Sequence, residues 1–266
     1  MEVIVIFTLA LLLAWPLGRY MTGVFSAGSH WSDKVFLPLE NGIFKLLGVK
    51  PTQGMNWKSY GIAFLLSNLV LGIIAYLILL FQHVLPLNPN GIAGLSWDLA
   101  LHTAVSFLTN TNQQHYSGQA QLSYLSQMTV IVGLQYLSPI MGLALLTAML
   151  RALFLQPKDQ ALENIKSKNA SQINLGNYWM DMIRPLFRFF IPLGLVFSLL
   201  LTFQGVPSTL SAGPTAQVLD RSTEVQTQHI PLGPVAPMVA IKQLGSNGGG
   251  WYGPNSSVPL ENPTPL

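Results

Sequence analysis

The stretch that decides the fold is SFLTNTNQQHYSG, which runs from Ser106 to Gly118. It is strongly polar but carries no formal charge outside its histidine, and it lies within a run from Leu99 to Leu150 that contains no Asp, Glu, Lys or Arg. Surface loops of soluble proteins are usually rich in charged residues. The stretch therefore predicts polar backbone placed inside an otherwise apolar region.

The composition excludes a water-soluble globule. Hydrophobic residues make up 50% of the chain and charged residues only 9%, against about 25% charged residues in a typical soluble domain. The net charge of +3 is scattered along the chain and forms no basic face, which excludes a nucleic-acid binder. Cysteine is absent, which excludes disulfides and thiolate metal sites. The chain is therefore expected to be an integral membrane protein.

Four stretches approach the length that a spanning helix needs, about 20 mostly apolar residues. They are residues 3–17, 61–81, 122–150 and 186–203. The first has neither a basic leading region nor a convincing cleavage site, so we expect an anchor and not a removed signal peptide. In the fourth, Arg188 is expected to extend toward the membrane surface, and Pro192 removes one backbone hydrogen bond.

The distribution of Lys and Arg predicts the orientation. These residues are concentrated between the first and second spans and between the third and fourth. In contrast, residues 82–121 contain none, and only Arg221 and Lys242 follow Phe203. By the positive-inside rule, the N-terminus and the two long polar regions lie outside the cell. Met55, Trp57 and Tyr60 are then expected to anchor the second span at the inner interface.

The segment SWDLALHTAVSFL, residues 96–108, predicts a short helix that begins at Ser96 and has Asp98 in its first turn. At about 1.5 Å per residue it reaches roughly 18 Å, about half of a bilayer. We therefore expect a re-entrant half-helix whose polar sequel returns as non-helical backbone lining a watery cavity. Its small polar residues are typical of an ion selectivity filter. These residues are Thr109, Asn110, Thr111 and Asn112.

The same arrangement recurs near the end of the chain. GPVAPMVAIKQL, residues 233–244, predicts a second short helix, and the glycine-rich loop GSNGGGWYG follows at residues 245–253. Repeated units of this kind are common in membrane transport folds. Because no carboxylate lies closer to either loop than Asp98 and Glu261, a divalent cation is disfavoured, and a neutral oxygen cage suits potassium.

Three other functions are compatible with parts of the pattern. Asp98, His102 and Ser106 lie four residues apart on one helix face, which matches the membership of a hydrolase triad but not its usual geometry. His115 has no second ligand at metal-binding spacing, so we interpret it as a polar residue at the outer mouth. A non-conducting membrane scaffold is the main alternative.

Three long motifs resemble the potassium-binding subunit of the bacterial Kdp potassium-transporting P-type ATPase. They are SWDLALHTAVSFLTNTNQQHYSG, MNWKSY at residues 55–60, and GPVAPMVAIKQLGSNGGGWYGPNSSVPLENPT at residues 233–264. The resemblance implies an all-α, polytopic protein of the bacterial inner membrane, with re-entrant half-helices and filter loops around one potassium path. It also implies that a separate P-type subunit hydrolyses ATP and that small accessory subunits complete the complex.

The resemblance also implies which residues form the two filter strands. The first strand is Thr109, Asn110, Thr111 and Asn112, and the second is Ser246, Asn247, Gly248, Gly249 and Gly250. Two departures from the family pattern are Gln113, where Trp often follows the first strand, and Met238 with Val239, where a Gln-Glu pair often stands.

The family continues well beyond the second filter loop, so we expect this chain to be a fragment that cannot conduct ions alone. Four regions are expected. Residues 1–56 form the first span with a cytoplasmic interfacial segment, 57–155 the first helix, pore loop and helix unit, 156–177 a cytoplasmic loop, and 178–266 a second unit without its closing helix. The cytoplasmic loop is a candidate contact for the ATP-hydrolysing subunit.

Overall fold

The computed structural model describes residues 2–25, 30–154, 174–219, 222, 224–247, 250–254 and 256–264. Its elements are α1 (Glu2–Phe25), α2 (Asp33–Leu46), α3 (Trp57–Phe81), α4 (Trp97–Leu108), α5 (Gly118–Gln121), α6 (Tyr124–Phe154), α7 (Tyr178–Phe203), β1 (Thr215–Gln217), β2 (Thr227–His229) and α8 (Val235–Leu244). The chain divides into two compact units, described separately here. The first contains Met1–Ala63 and Gly142–Ile191, and the second contains Phe64–Met141 and Pro192–Leu266.

Among the described residues, four helices are long and apolar enough to cross a membrane: α1, α3, α6 and α7. This confirms the four predicted spans, each of which coincides largely with one of these helices. The helices extend beyond the apolar runs, as α1 continues to Phe25 where the sequence predicted an end near Leu17. Hydropathy marks only the apolar part of a helix, whereas its hydrogen bonding continues into polar residues.

Pro192 affects α7 through the carbonyl group four residues earlier. A proline has no N–H, so the carbonyl oxygen of Arg188 receives no regular helical hydrogen bond from it. A turn of π-helix at Leu186–Phe190 precedes the proline. The hydroxyl of Tyr20 on α1 donates to this carbonyl oxygen at 2.6 Å. A side chain from another helix thus replaces the bond that the proline removes.

Arg188 is buried, so the expectation that it extends toward the membrane surface is wrong. Its side chain is paired with Glu40 through two contacts of 2.5 and 2.7 Å and with Asp33 at 2.5 Å. Both carboxylates lie on α2 and compensate the buried guanidinium. The backbone N–H of His30 and the Arg188 guanidinium hold the pKa of the Asp33 carboxyl below its usual range.

A second buried charge pair lies in the first unit. Arg151 contacts both carboxylate oxygens of Asp181, at 2.5 and 2.7 Å. The hydroxyl of Tyr60 donates to Asp181 at 2.9 Å and lies 2.8 Å from the carbonyl oxygen of Ala144. Tyr60 is only 2% exposed, so its prediction as an interfacial anchor is wrong. Asp181, distant in sequence, supplies the polar partner that lets the ring be buried.

In the second unit, Gln82 joins three segments that are distant in sequence. Its amide nitrogen donates to the carbonyl oxygens of Ala93 and Gln121, at 2.6 and 2.9 Å. Its amide oxygen accepts from the backbone N–H of Ser123 at 3.0 Å. Gln82 is fully buried, and its amide satisfies backbone groups that would otherwise lack partners. It thereby connects the end of α3 to the segments that precede α4 and α6.

The first predicted short helix is confirmed as α4. Its buried face has the i, i+3, i+4, i+7 spacing of Ala100, Thr103, Ala104 and Phe107. Its exposed face is also apolar at Trp97, Leu101 and Val105. Ser96 stands at the N-cap without a capping hydrogen bond from its side chain. A hydrogen bond with Ser96 and two backbone N–H groups lower the pKa of the exposed Asp98 carboxyl.

The structure contains one element that the all-α expectation lacked. Strands β1 and β2 pair antiparallel, with Thr215 opposite His229, and every residue of both strands is exposed. With neither face buried, the strands show no hydrophobic alternation that a sequence pattern could reveal.

We expect Arg188→Met to destabilise the protein by about 3–5 kcal/mol, because it leaves the Glu40 carboxylate buried without its main cation. The measurement is thermal unfolding of the purified protein in detergent micelles. Arg19→Met is the matched control, since Arg19 is exposed, makes no ion pair with the described residues, and lies with its guanidinium carbon 4.8 Å from the centroid of the Trp15 ring. Equal unfolding temperatures for the two variants would contradict the assigned role of Arg188.

Candidate functional site

The chain reverses direction immediately after α4, and Ser106 organises the turn. Its carbonyl oxygen accepts from the backbone N–H groups of Thr111 and Asn112, at 2.9 and 3.1 Å. Its hydroxyl oxygen accepts from the N–H of Gln113 at 2.7 Å. The turn places Asn110 and Asn112 in the left-handed region, with φ of 57° and 56°. Asparagine adopts this conformation more readily than most residues.

The turn leaves its main-chain carbonyl oxygens without hydrogen-bond donors from the described part of the protein. Within the part of the chain that the structure describes, the carbonyl oxygens of Thr109, Asn110, Thr111 and Asn112 accept no hydrogen bond from protein. In an apolar environment such acceptors need water or a cation as a partner. The first predicted filter strand is thus a row of main-chain oxygens without protein donors.

The loop after α8 starts with the same backbone conformation. The residues that follow the helix ends, Thr109 and Gly245, have φ/ψ of −83°/6° and −72°/4°. The next residues, Asn110 and Ser246, are both left-handed, with φ of 57° and 62°. The recurrence of short helix and polar loop that the sequence predicted thus extends to the backbone conformation of the two positions after each helix.

Asn247 links the two loops to α6. Its amide oxygen accepts from the amide nitrogen of Asn112, and its own amide nitrogen donates to the carbonyl oxygen of Gln135 at 2.9 Å. That carbonyl lacks its regular helical donor, because Pro139, four residues later, has no N–H. Pro139 therefore creates the acceptor on which the second loop is held.

Two buried side-chain oxygens near this contact have no partner among the described residues. They are the amide oxygens of Asn112 and Gln135. Buried acceptors without a protein donor are rare, and a water, an ion or a ligand can satisfy them. Sequence reasoning missed Gln135. Pro139, four residues later, was a signal that the main-chain carbonyl of Gln135 would lack its regular helical donor.

Gly245 and Gly118 permit close approaches of backbone. A methyl group at Gly245 would overlap the carbonyl oxygen of Gln135, and one at Gly118 would lie 2.7 Å from the carbonyl oxygen of Trp251. A larger residue at either position would force the second loop away from its contacts. These glycines are required by space, since neither has a positive φ.

Buried charges hold the far end of the second loop. The ammonium group of Lys242 donates to the carbonyl oxygen of Gly250. The Glu261 carboxylate accepts from the backbone N–H groups of Trp251, Tyr252 and Ser256, the last two at 3.1 and 2.8 Å. Gly248 and Gly249, the other two predicted filter glycines, lie outside the described residues.

The structure brings together two histidines that the sequence left apart. The rings of His102 and His115 pack edge to face, with centroids 4.5 Å apart. The turn after α4 folds His115 back onto that helix, a contact that the spacing of the two residues in the sequence did not predict. Among the described residues, however, no group of three His, Cys, Asp or Glu could hold a metal ion.

The triad arrangement is not formed. His102 makes no hydrogen bond to Asp98 or Ser106 within the described chain, and the Ser106 hydroxyl is bonded to the backbone of Gln113. A groove of about 430 Å³ runs along α4 from Trp97 to Thr111. It gives access to the first strand.

A cavity of about 510 Å³ in the first unit is lined in part by Arg151 and Arg184. Arg151 is already paired with Asp181, and Arg184 lies 3.7 Å from Glu40. Because carboxylates already balance these guanidinium groups, we assign no ligand to the cavity.

Comparison with known proteins identifies related chains. Residues 4–266 match the family described as "Potassium-transporting ATPase A subunit". The "potassium-transporting ATPase potassium-binding subunit" of Gloeobacter violaceus is 43% identical over 94% of this chain, and that of Synechocystis sp. is 46% identical over 96%. That of Caldanaerobacter subterraneus is 42% identical over 99%. The chain spans only 42% to 44% of the length of these relatives.

We expect Gly245→Ala to destabilise the protein by about 1–3 kcal/mol, because the added methyl group overlaps the Gln135 carbonyl oxygen. Gly142→Ala is the matched control: nothing lies within 4 Å of its added methyl group, and alanine favours a helix by about 0.5–1 kcal/mol. Thermal unfolding in detergent measures both. A Gly245→Ala protein as stable as the Gly142→Ala protein would contradict the close approach.

Proposed function

This chain belongs to the potassium-transporting ATPase A subunit family, and we propose that it binds potassium and forms part of the ion path of an ATP-driven potassium pump. It is a multi-pass membrane protein. Since it spans less than half the length of its curated relatives, the proposal concerns the part of the path that its own residues can form.

The observation that carries the proposal is the pair of matching loops. Each follows a short helix and begins with the same two backbone conformations. The hydrogen bond between the Asn112 and Asn247 side chains joins them. The carbonyl oxygens of residues 109–112 have no protein donor within the described chain. Main-chain oxygens arranged in this way can replace the hydration shell of an alkali ion.

The chemistry of the loops favours a monovalent ion. Every oxygen of the proposed first strand belongs to a neutral carbonyl, hydroxyl or amide group. The nearest carboxylates in sequence are Asp98, which interacts with Ser96 and the backbone at the start of α4, and Glu261, which accepts three backbone N–H groups. Divalent cations bind best where carboxylates are free to coordinate them.

We propose all nine sequence-predicted residues as the ion-binding set, with potassium as the transported substrate. They are Thr109, Asn110, Thr111, Asn112, Ser246, Asn247, Gly248, Gly249 and Gly250. Gly250 is the exception within this set: its carbonyl oxygen already accepts from Lys242, so Gly250 closes the second strand and does not itself coordinate the ion. The amide oxygen of Gln135 is added as a candidate ligand, since it is buried without a partner among the described residues.

The partners in this proposal are the ATP-hydrolysing P-type subunit and small accessory membrane subunits. The curated relatives are named as subunits of a potassium-transporting ATPase. Residues 156–177, the proposed cytoplasmic contact for the ATP-hydrolysing subunit, lie mostly outside the described residues. Crosslinking from Lys166 tests this contact, and failure to capture the P-type subunit would count against it. The four regions predicted from the sequence are retained as a proposal.

We propose that the N-terminus and both filter loops lie on the outer side of the inner membrane. The chain contains no cysteine, so single cysteines can be introduced without background. We expect Ala216→Cys, in the exposed strand β1, to react with a membrane-impermeant maleimide in intact cells. Lys50→Cys, exposed after α2, should react only after the cells are permeabilised. If Lys50→Cys were labelled in intact cells and Ala216→Cys only after permeabilisation, the proposed orientation would be wrong.

We expect Asn112→Ala to raise the potassium concentration for half-maximal uptake about tenfold, which corresponds to about 1.4 kcal/mol of binding free energy. The substitution removes both the amide oxygen and the bond to Asn247. The measurement is potassium uptake by cells that carry the variant in place of the natural gene.

The matched control is Asn68→Ala, because among the described residues the Asn68 amide donates to the carbonyl oxygen of Phe64 in its own helix and to no group of either loop. Unchanged potassium dependence in Asn112→Ala, at normal protein levels, would contradict the proposal and favour the non-conducting scaffold. A serine-directed probe that labels Ser106 would favour the hydrolase.

A further inference from the structure

We infer that Lys242 and Glu261 lock one peptide group of the second loop and thereby set its ion discrimination. The inference rests on the proposed function, because it concerns how the filter selects potassium. The two residues do not act as ion ligands. They are positioning residues that fix the orientation of the peptide group between Gly250 and Trp251.

The geometry is specific to that peptide group. Its carbonyl oxygen belongs to Gly250 and accepts from the Lys242 ammonium group. Its N–H belongs to Trp251 and donates to the Glu261 carboxylate. A cation thus holds the negative end of the peptide dipole, and an anion holds the positive end. Rotation of the peptide group would break both charge-assisted hydrogen bonds at once.

Burial makes the lock strong. Lys242 is 1% exposed and Glu261 is 4% exposed. Both charges are thus removed from water, which is costly unless each finds a compensating partner. The N–H groups of Tyr252 and Ser256 complete the environment of the carboxylate. In such low-dielectric surroundings, each hydrogen bond to a charged group is stronger than it would be in water.

The glycine at position 250 supports the role of Glu261 in holding the Trp251 N–H. A methyl group there would overlap both oxygens of the Glu261 carboxylate. Glycine at this position allows the carboxylate to approach the backbone closely enough to hold the Trp251 N–H.

The lock has a consequence for the ion. With the ammonium group on its carbonyl oxygen, Gly250 already binds a cation that is attached to the protein. A potassium ion that approached this oxygen would meet a like charge at close range. The lock therefore ends the ion-binding strand before residue 250 and keeps one more carbonyl from joining the cage. An additional flexible oxygen would change the size and number of ligands on which selectivity depends.

The test compares Lys242→Met, Glu261→Gln and the double variant in cells that carry them in place of the natural gene. Each is assayed for potassium uptake, for inhibition of that uptake by sodium and rubidium, and for thermal unfolding of the purified protein. We expect Lys242→Met to raise the half-saturating potassium concentration about tenfold and to increase inhibition by the competing ions. Glu261→Gln should also raise the half-saturating potassium concentration and increase inhibition by sodium and rubidium.

The double variant distinguishes positioning from charge compensation. Removing both buried charges should restore much of the unfolding temperature that each single variant loses. Ion discrimination should remain lost, because neither end of the peptide group is held. If discrimination returns together with the unfolding temperature, the pair is only structural and the inference is overturned.

Tyr252→Phe is the matched control. It removes the bond from the Tyr252 hydroxyl to the carbonyl oxygen of Pro231, 2.6 Å long, in the same loop but without touching the locked peptide group. It should lower the unfolding temperature and leave ion discrimination unchanged. If Asn112→Ala alters potassium dependence while Lys242→Met does not, this inference fails and the proposed function stands. If neither variant has an effect, both fail.

Discussion

The structure depends on one constraint: a backbone carbonyl in an apolar environment needs a hydrogen-bond partner. Among the prolines within the long helices, Pro139 and Pro192 each remove the regular donor to the carbonyl oxygen four residues earlier, at Gln135 and at Arg188. The partners are the side chains of Asn247 and Tyr20. The contact between Asn247 and Gln135 holds the loop after α8 on α6. The contact between Tyr20 and Arg188 connects α7 to α1. Breaks in helical bonding thus become attachment points.

The two units use buried charge in different ways. In the first unit, arginine and carboxylate side chains pair directly, as in Arg188 with Glu40 and Arg151 with Asp181. Such pairs hold helices together while satisfying each other. In the second unit, Lys242 and Glu261 instead hold backbone groups of one loop. There each buried charge is compensated by hydrogen bonds with main-chain groups of that loop.

The loops after α4 and α8 show that a shared backbone conformation does not need a shared sequence. Thr109 and Asn110 match Gly245 and Ser246 in backbone angles although no residue is the same. The proposed function uses main-chain oxygens, so selection can act on the path of the backbone and leave the side chains to pack locally. At Gly245 that packing demands glycine, because the Gln135 carbonyl is so close.

The sequence by itself determined the four spans, the two short helices and the two polar loops. These follow from hydropathy, length and local turn chemistry, which act between residues close in the chain. It failed at Arg188 and Tyr60, where the partner of the side chain lies in a distant part of the chain. Only the tertiary structure decided that Asn247 meets Gln135, 112 residues away, and that Tyr20 meets Arg188, 168 residues away. A local pattern reveals that a polar group needs a partner, but the identity of that partner depends on how distant segments pack.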